Sequence, residues 1–426
     1  MRHRRVSVLI CAAVSAVVMT ACGSGGSGQS ADGKTELTIA TFNEFGYEEL
    51  FKEYEAAHPD IKITQRKTGQ GQPHHQNLFT KLGAGSGLAD IEGVEEGYLS
   101  QVMAKSGQFN DLNEIGPKIE DGRWLDWKTQ AITTKDGKLI GYGTDIGPLA
   151  MCYRKDLFEQ AGLPSDPEGV KTLFATWDSY FAAGDQFIAK VPGVAWFDSA
   201  AQVYNAMHNQ LETGYYDTSD KLVVDTNPDI KKNWDTVAAA VSKGQSARLV
   251  AFSPEWNTGF KLGKFATKTC PSWMLGVVES QAGAENAGKW AVTDAFPNGG
   301  GNWGGSYLTV PKQSKNAQKA AELAAWLTQP EQQIKAFKAK GTFPSQVKAL
   351  DAPELLEQTN AYFGDVKAGE LFATQAKKIK AAQYKGPADG QIQETVFSPA
   401  LQSIEQGKNA EEAWTAAVDG AKKAAK

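Results

Sequence analysis

The residues of this chain best suited to chemistry are aromatic rings set beside carboxylates and amides, in short clusters separated by long intervals. They are Asn43-Glu44-Phe45, Glu95-Glu96-Gly97-Tyr98, Asp145, Trp273 after Pro271-Ser272, and Asn302-Trp303-Gly304-Gly305. Pyranose rings present apolar C–H faces and a rim of hydroxyls, so a site for them needs flat aromatic platforms with Asp, Glu, Asn or Gln at the edges. Trp303 is the first candidate platform, because Gly304 and Gly305 leave its face open and let backbone approach a ligand. Trp273 is the second. Phe45 and Trp196 are further candidates, although helical surroundings favour core packing for Trp196, as for Trp256. Each tryptophan also has a plainer reading, a ring packed under the sheet. Asp145 reads equally as a hydroxyl acceptor and as a turn residue before Gly147-Pro148. Glu95 and Glu96 are neighbours, so in an extended stretch one faces the site and the other turns away.

Other chemistries lack their residues. There are five histidines; His74 and His75 are adjacent, and no HExxH pair or Cys/His spacing offers a zinc site. No metal and no cofactor is expected. Gly23 to Gly28 and Gly299 to Gly304 formally satisfy GxGxxG, but the first lies in a Gly/Ser-rich stretch and the second leads into a strand, not the helix a pyrophosphate requires. There is no GxSxG elbow, and no cysteine with a histidine partner in a recognisable signature. No catalytic residue is therefore assigned. Glu95, Glu96 and Asp145 could pair as acid and base for glycoside cleavage, so a secreted glycoside hydrolase stands as the alternative class to a binding protein.

These clusters must be positioned by alternating elements. Leu37 to Phe42 is a β-branched run of strand length; Leu50, Phe51, Tyr54 and Ala57 share one helical face, and Ile61 to Thr64 reads as a second strand. Strand, helix and strand in so short a span make a βαβ unit and imply a parallel sheet. The alternation continues through a helix near Asn77 to Leu82, a turn at Gly83 to Gly87, and strands at Asp90 to Val94, Leu139 to Tyr142 and Leu149 to Tyr153. Trp177 to Gln210 reads as helical throughout. Ser306 to Val310 is a strand, Asn316 to Leu327 an amphipathic helix, and the chain from Asn409 onward an Ala- and Lys-rich helix.

At the N-terminus Arg2, His3, Arg4 and Arg5 precede an apolar run from Val6 to Val18 that is too short for a membrane span. Met19-Thr20-Ala21-Cys22 resembles a bacterial lipobox, with Met19 in place of the usual Leu; an ordinary secretory signal is the alternative. Residues 1–21 are thus expected to be a lipoprotein signal peptide, Cys22 the lipidated residue and 22–35 a flexible tether. The formal net charge of −5 becomes three units more negative once Arg2, Arg4 and Arg5 leave, which argues against nucleic acid as a partner. Of four cysteines, Cys11 leaves with the signal and Cys22 is assigned to lipid. Cys152 and Cys270 remain, as a disulfide or as two separate thiols. The rest of the chain exceeds the roughly 250–300 residues at which one core usually splits, so two lobes are expected.

Taken in order, the opening strand with its polar cluster, Leu88-Ala89-Asp90-Ile91, Asp145 to Phe158, Gly263-Lys264-Phe265-Ala266 leading to Trp273, and Trp303-Gly304-Gly305-Ser306 before Val310-Pro311 resemble one family. It is family 1 of the extracellular solute-binding proteins of carbohydrate ABC importers, the group related to maltodextrin-binding proteins. The resemblance covers Leu37 to about Ala424. It implies a two-lobed, periplasmic-binding-protein-like α/β fold, with lobes joined by crossing hinge strands and ligand between them. It places 36–145 with about 280–345 in the first lobe and 146–279 with about 346–426 in the second. It further implies cleft positions at Asn43, Glu44, Glu95, Glu96, Asp145, Trp273 and Trp303, to which Phe45 and Gly304 add a platform and an open backbone. Thr269 to Gly276 and Tyr384 to Gln391 are similar, more narrowly, to actinobacterial cellobiose- and cello-oligosaccharide-binding lipoproteins. The implied function is that of a monomer on the outer face of the cell membrane, held by its lipid, that closes on a short oligosaccharide such as cellobiose or cellotriose. The membrane subunits of an ABC importer are the implied partner; malto-, xylo- and chito-oligosaccharides are alternative ligands.

Overall fold

The computed structural model describes residues 33–379 and 383–426. The expected signal, Cys22 and all but the last residues of the tether lie outside them. The strands are β1 (Thr35–Phe42), β2 (Ile61–Thr68), β3 (Ile91–Glu95), β4 (Gly141–Gly143), β5 (Asp145–Ile146), β6 (Leu149–Arg154), β7 (Ala195–Phe197), β8 (Phe265–Pro271), β9 (Trp290–Thr293), β10 (Ser306–Thr309) and β11 (Phe343–Pro344). They build a five-stranded sheet in the order β2-β1-β3-β10-β4, a four-stranded sheet in the order β7-β8-β6-β9, and a two-stranded pair of β5 with β11.

The first lobe begins as the sequence implies. Leu37 and Ile39 alternate into the core, β1 pairs in parallel with β2 and β3, and the intervening helix Glu48–Ala57 buries Leu50, Phe51 and Tyr54. Glu48 and Glu49 occupy the first turn of that helix, where carboxylates favour the exposed N–H groups. β10 then enters antiparallel between β3 and β4. In the second lobe all six residues of β6 are buried. Leu149, Met151 and Tyr153 face a core with Phe158, Trp196 and Phe397, while Ala150 and Cys152 face another with Cys270, Trp290 and Phe343. A strand covered on both faces reads as a continuous apolar run, which is why Leu149 to Tyr153 was legible. Cys152 and Cys270 form a disulfide between adjacent strands β6 and β8, with Cα atoms 5.6 Å apart.

Three expectations change. Trp177 to Gln210 is not one helical stretch, since β7 interrupts it between the helices Trp177–Lys190 and Ala200–His208. Trp196 lies on that strand, fully buried. The helix expected near Asn77 to Leu82 runs over Gly71–Ala84 and stops at left-handed Gly85. Finally, β9 pairs with β6 in the second sheet, so 280–300 does not share the sheet of the first lobe. The chain returns to that sheet only at β10.

The chain passes between the sheets three times: at β5, between β9 and β10, and at β11. These passages are tied to one another. Asp145 pairs with Pro344 and Ile146 with Phe343, and Pro148 bridges Asn302.

Candidate binding site at the crossing strands

The middle passage, Asn302 to Gly305, is built on backbone approaches that only glycine allows. Gly304 and Gly305 are left-handed, with φ of 83° and 114°. A Cβ on Gly305 would lie 2.6 Å from the Asp145 carbonyl oxygen, and one on Gly147 would overlap the Trp303 carbonyl. Both positions thus exclude side chains. Asn302 is the clamp. Its Oδ1 accepts from Gly147 N–H at 2.9 Å, and its Nδ2 donates to Glu96 at 2.6 Å and to the Gly304 carbonyl at 2.9 Å. The Trp303 N–H donates to Gly147 O at 2.8 Å.

On this frame stand two half-buried tryptophans. Trp273 donates its indole N–H to the Trp303 carbonyl at 3.1 Å. The rings meet edge to face, 6.1 Å apart and at 89°. That corner offers faces in two directions to a ring stacked on either wall. Glu95, at the end of β3, reaches the same corner: a Cβ on Gly304 would lie 3.5 Å from the Trp273 indole nitrogen and 3.9 Å from Glu95 Oε1. Glu95 accepts from Gly97 N–H at 2.9 Å. Glu96 is buried behind it, with Lys385 at 3.6 Å from its Oε1. Of the neighbouring carboxylates, then, Glu95 stands beside the tryptophans and Glu96 holds the frame.

The electrostatics follow from burial. Desolvation pushes the Glu95 carboxyl up to about 7 against the opposing pull of Lys385. It also raises Asp145, opposed by Lys128 and by the Thr144 hydroxyl, which donates at 2.7 Å. Lys128 is fully buried, its ammonium 3.8 Å from the Tyr307 ring centroid and without a hydrogen bond. Burial lowers its pKa to about 8. Carboxylates and ammonium groups interleaved with rings suit a polyhydroxylated ligand, which can both donate and accept.

The remaining sequence candidates are dispersed. Asn43 directly follows β1, exposed and left-handed at φ 46°, a conformation Asn tolerates. Glu44 is exposed and paired with Lys67 at 2.6 Å and Lys340 at 3.4 Å. Burial raises its carboxyl, but the two ammonium groups outweigh this and hold it below its ordinary value. Phe45 is a correction: 6% exposed and edge-on to Phe42 and Tyr47, it packs in the first-lobe core and offers no open face. Trp256 is fully buried in the helix Pro254–Lys261.

Sequence reading missed Lys128, which looks like any helical lysine, and Lys385, whose Glu96 partner is far away in sequence. It also missed Asp198 and Lys268, a fully buried ion pair at 3.1 Å in the second lobe. Among the described residues no group of three or more His, Cys, Asp or Glu could hold a metal ion, and no helix is long and apolar enough to cross a membrane. A groove of about 800 Å³ on the second lobe, lined by Val194, Leu249 and Leu262 among others, shares no residue with this site.

The family profile described as "Bacterial extracellular solute-binding protein" matches residues 49–363. The arabinooligosaccharide-binding protein of Bacillus subtilis (strain 168) is 32% identical over 346 residues, 74% of this chain and 75% of the relative. The lactose-binding protein of Rhizobium radiobacter is 25% identical over 368 residues, covering 82% and 84%. Among solved structures, an extracellular solute-binding protein of family 1 superposes with a TM-score of 0.83 at 50% identity, over 92% of this chain and 100% of that one. The ABC-transporter-associated binding protein of B. animalis subsp. lactis Bl-04, in complex with β-1,6-galactobiose, shares the fold with a TM-score of 0.78 at 22% identity, covering 91% and 97%. With a two-sheet architecture joined by crossing strands, and with that match over most of its length, the chain belongs to the bacterial extracellular solute-binding proteins.

Proposed function

We propose that this chain is the substrate-binding component of an ABC sugar importer, and that it captures a short neutral oligosaccharide between its lobes without cleaving it. The observation that carries this reading is the corner of Trp273 and Trp303, set on the crossing strands and flanked by Glu95, Asp145 and Asn302. The tryptophans stack on sugar rings, the carboxylates take the hydroxyls, and contacts from both lobes favour the closed form over the open one. Cellobiose or cellotriose is the ligand we favour. A second reading, an arabino-oligosaccharide, is supported by the 32% identity to the B. subtilis protein. Export and attachment through a lipid on Cys22 complete the proposal.

A ligand that binds only the native state raises its melting temperature. Thermal-shift measurements with cellobiose, cellotriose, arabinotriose, lactose, β-1,6-galactobiose and maltose are expected to single out one series. Prolonged incubation with that sugar is expected to return it intact. Release of shorter products would instead make the chain a glycoside hydrolase, and no shift with any of the six would remove the oligosaccharide reading. For the anchor, incorporation of labelled fatty acid is expected in the parent chain and lost in Cys22→Ser; undiminished labelling of the variant would exclude the lipid on Cys22.

A further inference from the structure

A chain of contacts runs through the site to its surroundings. From Glu44, paired with Lys340 at 3.4 Å, it passes to Gly341, where a Cβ would lie 3.6 Å from the Trp273 Cα. It continues through Trp273 and Trp303 to Asn302, Glu96 and then Lys385. The two ends differ. At the first, Asn43 and Glu44 are exposed. At the second, the segment Tyr384–Glu394 of the second lobe touches the first lobe repeatedly. Ser100 Oγ donates to the Gly386 carbonyl at 2.5 Å, Tyr98 donates its hydroxyl proton to Glu394, and a Cβ on Gly390 would lie 2.6 Å from the Gly97 carbonyl oxygen.

This segment is firmly seated on its own lobe. Tyr384 exchanges backbone hydrogen bonds with Glu212 O at 2.9 Å and Gly214 N at 2.7 Å, its hydroxyl donates to Asp220 at 2.6 Å, and Asp389 accepts from Tyr215 N–H at 2.8 Å. It therefore spans the gap between the lobes as a strap, and a backbone-on-backbone approach at Gly97 and Gly390 leaves no width there for a sugar ring.

We propose that the strap Tyr384–Glu394 makes the binding site blind at the Glu96–Lys385 end, so that it takes one terminus of an oligosaccharide and lets the chain leave only past Trp273 toward Glu44. This rests on the oligosaccharide reading above and adds a polarity to it. A blind site selects by chain end: a group added to the enclosed terminus collides with the strap, whereas one added to the other terminus reaches solvent.

The test is calorimetric titration of the mature chain with cellotriose and with arabinotriose. Each is used free, as its benzyl glycoside at the reducing end, and with a benzyl ether on the chain-extending hydroxyl of the non-reducing end. For the trisaccharide that binds, one benzyl group is expected to weaken affinity at least tenfold while the other changes it less than threefold. In Gly390→Ala, where the new Cβ pushes the strap from Gly97, the larger penalty is expected to shrink. Tolerance of both benzyl groups overturns the blind end and leaves oligosaccharide capture standing. Rejection of both overturns the open end, and so the proposed polarity. If neither free trisaccharide binds, the preference for a cello- or arabino-oligosaccharide fails and the inference falls with it.

Discussion

Two fully buried lysines near the hinge keep contrasting company. Lys268, on β8, pairs with Asp198 at 3.1 Å and donates to Gln202 at 2.8 Å, and the Trp256 indole N–H donates to the same aspartate at 2.7 Å. Lys128, in the helix Asp126–Ile132, has an ammonium that makes no hydrogen bond and lies against Tyr307 and Trp127 within the field of Glu96, Asp145 and Glu95. Both charges are costly to bury. The first is fixed by directed bonds in the second lobe, and its ammonium also lies 5.8 Å from the Trp303 ring centroid. The second is balanced through space by the carboxylates around it.

Lys268→Met breaks this contrast most severely. It leaves Asp198 buried and uncompensated, and chemical denaturation is expected to show a loss of about 3–5 kcal/mol. Lys128→Met forfeits no hydrogen bond, so a clearly smaller loss is expected; equal losses would erase the distinction. Reduction of Cys152–Cys270, which spans 118 residues, is expected to cost about 2–5 kcal/mol, read as a fall in melting temperature with reductant. The interior and the junction should also separate by function. Trp303→Ala removes a half-buried platform and is expected to weaken oligosaccharide binding at least tenfold, about 1.4 kcal/mol. Trp256→Phe, in the interior, is expected to lower stability and leave affinity unchanged; the reverse pattern would exchange their roles.

A further effect is a dependence on pH. The Glu95 carboxyl is raised to about 7 by burial, so its ionised form is disfavoured in the folded chain. The stability it contributes is present below its ordinary value of 4.5 and is lost as pH rises through about 7. Glu95→Gln, compared with the parent chain, is therefore expected to gain in melting temperature between pH 5 and pH 8. A constant difference across that range would mean that Glu95 is well solvated.

Much of the scaffold was legible because its signals are local. The run Leu149 to Tyr153, the βαβ opening and Asn316 to Leu327 each carry their period within a few turns or one strand length. The glycines around Trp303 were legible because a ring between small residues points to close backbone approach, and the structure supplies the reason at Gly147 and Gly305. What was not legible depends on distant partners. β9 is four residues long and declares its lobe only by pairing with β6. Phe45 has the same neighbours in sequence whether it faces a cleft or a core. Lys128 and Lys385 meet carboxylates that the chain brings from β3 and β5, and no spacing announces such a meeting.

The most direct test of sugar capture at the junction is a crystal structure of the mature chain with the trisaccharide that raises its melting temperature. A sugar ring stacked on Trp303 or Trp273 is expected, with hydroxyls within hydrogen-bond distance of Glu95 or Asp145. A trisaccharide seated in the groove of Val194, Leu249 and Leu262, with the tryptophan corner untouched, would contradict it.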